Sequence, residues 1–300
     1  MRPHHAMLAL LLVTIWGANF IAIKVSLVEL PPFLLCAVRF FFAAIPAVFF
    51  IKRPAVPFRM IVLYGTLTFA LQFGLLFTGM SLGMPPGLTS LVLQVQLFFS
   101  LFFALFFLKE TLQRHQLIGC MIALLGIVLV VLTLNESTPL SSFLLVIAAA
   151  AAWGGGNLIA KKIPSVNALA LVSWGSLVAF LPLMFVSLLI DGPVLILHSL
   201  SHLSRLGFAS TAYIVYLSTL VGYGAWNWLL NRYTVATIVP FALLVPVIGM
   251  LTAALVFKES IQTHHIMAAC CVLIGLSINL FGSRWIKQDL PESKKSILSA

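Results

Sequence analysis

Arg39, the amides Asn19, Gln72, Gln94 and Asn157, and the aromatic residues Trp16, Trp153 and Tyr216 carry the chemistry of this chain. All lie inside apolar stretches of membrane-spanning length, where a polar group left without a partner is strongly unfavourable. Uncharged polar residues from several helices converge at little cost in one kind of place, a water-filled cavity near the midplane. These residue types bind rather than react. Guanidinium and amide N–H groups donate hydrogen bonds, and aromatic rings receive cations on their faces. The sequence has no phosphate-binding loop, no histidines at metal-ligand spacing and no nucleophile with a matching base. All seven acidic residues, Glu29, Glu110, Glu136, Asp191, Glu259, Asp289 and Glu292, fall in loops, tails or helix ends, leaving no membrane carboxylate to carry a proton or a sodium ion. The expectation is recognition of a small molecule without metal or cofactor. A membrane-embedded enzyme is the remote alternative.

Spacing sharpens the list. Trp16 and Asn19 are three residues apart and share a helix face. The stretch WGANFIAIK at 16–24 has a looser echo in WGGGNLIAKK at 153–162, each with an Asn five residues before a Lys, which sets Trp153 and Asn157 opposite the first pair. Gly154, Gly155 and Gly156 leave one turn without side chains, suited to close helix packing or to a local break. Arg39 lies about 10 Å along a helix that starts at the Pro31–Pro32 pair. Two readings are open for it: facing the cavity, or snorkelling to the outer surface. Gln94 and Gln96, about 200° apart on a helix, cannot line one cavity, and Gln94 is the candidate carried forward. Tyr216 and Tyr223 share a face at i, i+7 and are both candidates for a cavity wall, Tyr216 being the one carried forward. Pro240 and Pro246 bend the segment that holds them.

The elements that must position these residues are membrane helices. With 62% hydrophobic and 8% charged residues and a mean hydropathy of +1.14, the chain cannot cover itself in water. Runs such as LFFSLFFALFF lack the alternation of barrel strands, so the fold class is an all-α integral membrane protein. Breaks divide it into ten spans, at 6–28, 33–51, 58–80, 85–108, 113–134, 140–160, 167–190, 206–230, 235–257 and 263–283. The first carries Trp16, Asn19 and Lys24, which suits a retained helix rather than a cleaved signal. Cys36, Cys120, Cys270 and Cys271 all sit in apolar segments and read as small core residues.

The chain repeats itself. KETLQRH returns as KESIQTH at an offset of 149 residues, so that Lys109, Glu110, Gln113 and His115 match Lys258, Glu259, Gln262 and His264, and Tyr64 matches Tyr213. Five spans separate the copies, an odd number that sets the halves in inverted topology. The expected division is a five-helix repeat at 1–135, a second at 136–283 and a basic tail at 284–300. With both termini in the cytoplasm, thirteen Lys and Arg fall inside, three outside and Arg39 within a helix. That is the positive-inside pattern, so the formal charge of +10 marks topology and a lipid surface rather than nucleic-acid binding.

WGANFIAIK, LPPFLLCAVRF, GMPPGLTSLVLQVQ, GGGNLIAKK, VGYGAWNWLLNRY and PFALLVPVIG, spread over essentially the whole chain, resemble the EamA family of the drug/metabolite transporter superfamily, and within it the exporters of cysteine and O-acetylserine. The resemblance implies ten helices in a bacterial inner membrane and export of small zwitterionic, amino-acid-like metabolites through a cavity between the halves. Relatives with this pattern also move other solutes, and a facilitator channel would share the same helices. For a zwitterion, amides and Arg39 supply donors to the carboxylate, while the ammonium relies on carbonyls or aromatic faces.

Overall fold

The computed structural model describes residues 1–110, 113–132, 139–163 and 166–257, with isolated positions between 263 and 282. Among these, eight helices are long and apolar enough to cross a membrane: α1 (Pro3–Glu29), α2 (Pro32–Phe50), α3 (Phe58–Ser81), α4 (Pro86–Leu108), α6 (Leu140–Lys162), α7 (Ala168–Ile190), α8 (Arg205–Arg232) and α9 (Val235–Val256). A further helix of 19 residues, α5, covers Arg114–Leu132. Each agrees with an expected span to within a few residues. The tenth expected span falls largely outside the described residues, as do the boundary near 135 and the tail. A short helix at Gly192–Ser201 links α7 and α8.

Local chemistry sets the helix ends. Prolines open α1, α2 and α4, where a missing N–H is harmless. Asn167 caps α7 by accepting from the backbone N–H of Leu169 and Ala170, and Ser204 caps α8 through Gly207. Pro46 interrupts α2 between Ala44 and Ala47. Lys109, in the repeated motif, ends α4 in the left-handed region at φ 56°. Glu110 then accepts a hydrogen bond from the Val235 N–H at the start of α9, 3.1 Å away, where a carboxylate also suits the helix dipole.

Large apolar side chains face outward while several polar ones lie inside. Phe106, Phe107, Phe185 and Leu255 face outward, as lipid in place of water allows, while Arg39, Gln72, Gln94, Gln96 and Asn157 are buried. Across the halves, α1 packs on α8 and α9, α6 packs on α3 and α4, and α2 packs on α7. Exchanging first-half helices for their second-half counterparts leaves this set of pairs unchanged. Gly154 and Gly156 allow the α6 contacts: a Cβ on Gly154 would lie 2.7 Å from Phe99 Cβ, and one on Gly156 would overlap Thr68 Oγ1. The glycine turn thus packs closely within an unbroken helix.

Four helices lose α geometry over part of their length. Thr66–Leu71 in α3 and Tyr213–Tyr223 in α8 are π-helical, and Leu93–Val95 in α4 and Val239–Leu243 in α9 are 3₁₀. The two π stretches overlap at the offset of 149, and so do the two 3₁₀ stretches. Pro240 accounts for the irregularity in α9. No residue in α4 gives the same signal.

Candidate functional site

The helices that carry the irregular stretches enclose a cavity of about 30 Å³, lined from within those stretches by Leu93, Ser218 and Tyr223. Helix α1 contributes Trp16, Asn19, Phe20 and Ile23; α3 contributes Gln72, Phe73 and Leu76; α6 adds Trp153, α8 adds Ser218 and Tyr223, and Leu93 and Val245 complete it. Both halves therefore share one chamber. Trp16 is its hub, with ring centroids 5.7 Å from Trp153, 5.2 Å from Tyr223 and 5.1 Å from Trp226. Its indole N–H donates to the Ser218 carbonyl at 3.1 Å. That approach needs Gly222, because a Cβ there would lie 2.6 Å from Trp16 Nε1. Gln72 Nε2 donates to the Tyr223 hydroxyl at 3.1 Å, so the chamber wall is bonded across the halves.

Three lining residues keep unused hydrogen-bonding capacity. Asn19 Oδ1, Trp153 Nε1 and Ser218 Oγ are buried without a partner among the described residues. Buried polar groups normally find one, so these three mark where a solute or water would be held. Pockets for small molecules run to about 300–1,000 Å³. At about a tenth of that lower bound, the chamber is the size of a water or two.

Of the eight residues singled out from sequence, Trp16, Asn19, Gln72 and Trp153 line this chamber. Asn157 lies one layer behind, accepting from Trp226 Nε1 and donating to Gln96 Oε1 and Ser100 Oγ. Gln94 turns back onto its own helix, Nε2 donating to the Ser90 carbonyl at 3.1 Å. Arg39 is 0% exposed and does not snorkel. It stacks 3.8 Å above the Phe73 ring, behind the chamber wall.

Tyr216 is a correction. It is 49% exposed on the outside of the bundle, while Tyr223 at 3% lines the chamber. The shared face assumed about 100° per residue, but this stretch is π-helical, at about 80° per residue, and seven residues then carry a side chain to roughly the opposite side. Ser218 and Phe73 were also missed. A serine and a phenylalanine among so many apolar residues give no signal of their own.

The two ends of the bundle differ. At the end holding the start of α1, His5 Nδ1 lies 2.6 Å from the Tyr233 hydroxyl, and Lys161 Nζ donates to the Leu230 and Tyr233 carbonyls, each at 2.7 Å. Glu110 closes on Val235 at the same end. At the other end, Glu29 accepts from the Ser204 backbone N–H and hydroxyl at 2.7 and 2.6 Å. Beside it opens a pocket of about 370 Å³, lined by Lys24, Leu27, Met80, Ser81 and Pro85 among others.

A multi-pass helical membrane protein with a small polar and aromatic chamber shared by its two halves has the architecture of a membrane transporter. The chain belongs to the EamA-like transporter family, whose model matches it twice, over residues 5–132 and 140–281. It is 41% identical over 294 residues to a protein of Escherichia coli (strain K12), covering 96% of this chain and 98% of the relative, and 42% identical over 284 residues to one of Salmonella typhimurium (strain LT2), covering 92% and 95%. Both relatives bear the name "Probable amino-acid metabolite efflux pump". A solved crystal structure matches the fold with a TM-score of 0.77 over 95% of this chain and 99% of its own, at 15% identity.

Proposed function

We propose that this protein exports small amino-acid-like metabolites, cysteine and O-acetylserine among them, across a bacterial inner membrane by alternating access to the central chamber. The observation that carries the reading is the chamber itself. It draws walls from both halves, has unpaired polar atoms on Asn19, Trp153 and Ser218, and lies among four helices that depart from α geometry together. The names borne by the relatives from E. coli and S. typhimurium support the broader class, amino-acid metabolites.

Trp16, Asn19, Gln72 and Trp153 contact the solute in this reading, joined by Tyr223 and Ser218. The halves, 1–135 and 136–283, are inverted repeats of five helices each, with both termini and the 284–300 tail in the cytoplasm. Exchange-symmetric packing and matched irregularities at the 149-residue offset support that arrangement. The end tied by Lys161 and Tyr233 then faces the cytoplasm, and the wide pocket faces outward.

Proteoliposomes loaded with labelled cysteine or O-acetylserine test the proposal. Saturable efflux, accelerated by unlabelled solute on the far side, is expected. Efflux that rises linearly with concentration would instead indicate a facilitator channel, and no efflux of any labelled amino acid in a broad panel would refute export of this class.

A further inference from the structure

Arg39 carries a full charge into the centre of the bundle, and little in the protein answers it. It is 0% exposed. Its Nε donates to Thr219 Oγ1 at 2.7 Å, and its guanidinium lies 3.8 Å from the Phe73 centroid and 5.4 Å from that of Phe40. Nη1 and Nη2 have no hydrogen-bond partner among the described residues. Thr219 donates in turn to the Ile214 carbonyl at 2.8 Å, which fixes its hydroxyl as the acceptor for Nε. One edge of the planar fork is thereby clamped, and the four N–H groups on the terminal nitrogens stay open. The acids among the described residues, Glu29, Glu110 and Asp191, stand at helix ends and cannot neutralise it.

A buried cation in this condition is electrostatically incomplete. We infer that Arg39 is a carboxylate seat: the terminal nitrogens take the carboxylate of the solute, while its amino group rests on the Asn19 amide and the faces of Trp16 and Trp153. Phe73 is the partition. Its ring stacks against Arg39 on one side, lines the chamber, and meets Tyr223 with centroids 6.1 Å apart. On this inference Phe73 must turn aside for the guanidinium to reach a solute in the chamber. Asn19 makes no hydrogen bond among the described residues, so its carbonyl is available as a neutral acceptor. Strength is therefore unequal at the two poles. A guanidinium grips a carboxylate by charge-assisted bonds, whereas the ammonium meets only an amide and aromatic faces. The site recognises acids that lack the amino group and rejects amines that lack the carboxylate.

This rests on the chamber being the transport site, and the test separates the two ideas. Alanine, propionate and ethylamine are titrated into the purified full-length protein in a low-salt HEPES buffer free of chloride and of carboxylates, with binding read by calorimetry and by thermal melting, for wild type, Arg39→Lys and Arg39→Gln. Alanine and propionate are expected to bind wild type, with ethylamine at least tenfold weaker. Arg39→Gln is expected to lose at least tenfold for both carboxylates and to melt no lower than wild type when empty, since it removes an unanswered charge. Arg39→Lys keeps part of the affinity. Equal binding of ethylamine and propionate, or unchanged propionate affinity in Arg39→Gln, overturns the seat. An Arg39-dependent shift on adding chloride that neither alanine nor propionate competes away also overturns it, in favour of an inorganic anion. If proteoliposomes release no amino acid while propionate binding still depends on Arg39, the export reading fails and the seat stands.

Discussion

Asn19 and Gln94 are both amides buried at mid-depth, yet their neighbours give them different work. Asn19 faces the chamber unbonded, whereas Gln94 spends its N–H on the Ser90 carbonyl one turn back. Asn19→Leu should therefore weaken apparent affinity for an exported amino acid by about tenfold, the equivalent of one lost hydrogen bond of about 1.4 kcal/mol. Gln94→Leu should leave affinity within about twofold and cost the fold about 0.5–1.5 kcal/mol, the net worth of one hydrogen bond, here made within its own helix. Efflux measured over a range of internal concentrations checks both, and equal losses in the two variants would remove the distinction. Amides and charge inside apolar stretches were legible in the sequence as places needing a partner. Which partner each finds was not, because Gln94 and Asn19 differ only in what lies across from them. Tyr216 was misplaced for a physical reason, namely that its helix does not turn by 100° per residue there.

At the scale of the element, α8 matters most, because its π stretch sets both the chamber wall and the clamp on Arg39. Ser218 and Tyr223 line the chamber, Thr219 holds the guanidinium, and Gly222 lets Trp16 lie against the backbone. Gly222→Ala places a methyl 2.6 Å from Trp16 Nε1, and the indole is rigid, so Trp16 or the helix must shift. Overpacking of this kind costs about 1–3 kcal/mol. The expected outcome is a lower melting temperature together with loss of saturable efflux, whereas Gly224→Ala, which meets only the flexible end of Leu169 at 2.9 Å, should retain transport. Normal affinity in Gly222→Ala would show that Trp16 is not held where the chamber needs it. The spans themselves were readable to a few residues, since apolar length, prolines and charges set them locally. The π and 3₁₀ turns were not, apart from the one at Pro240, because they arise where helices of opposite halves press together.

Across the whole molecule, the described residues tie the two ends by different contacts, and that difference can be shifted. Repeat and basic residues were readable in the sequence, and in the proposed arrangement they turn the end holding Lys161 toward the cytoplasm. The latch there was hidden, since it joins Lys161 to carbonyls 69 and 72 residues away. A cation on the last carbonyls of a helix contributes up to about 2 kcal/mol when partly buried. Lys161→Met should then move the balance between outward-open and inward-open forms by about tenfold for each 1.4 kcal/mol lost. In a background with Cys36, Cys120, Cys270 and Cys271 replaced, Ser81→Cys in the wide pocket and Gln113→Cys, which follows Glu110 at the other end of the bundle, report on opposite sides. A membrane-impermeant maleimide should label Ser81→Cys in intact cells and Gln113→Cys only in inside-out vesicles. Adding Lys161→Met should slow labelling at Ser81→Cys severalfold, as the outer pocket closes in the newly favoured form. Labelling of both cysteines from one side would undo the inverted arrangement. Unchanged labelling at Ser81→Cys would show instead that the Lys161 contacts hold helices together without choosing between states.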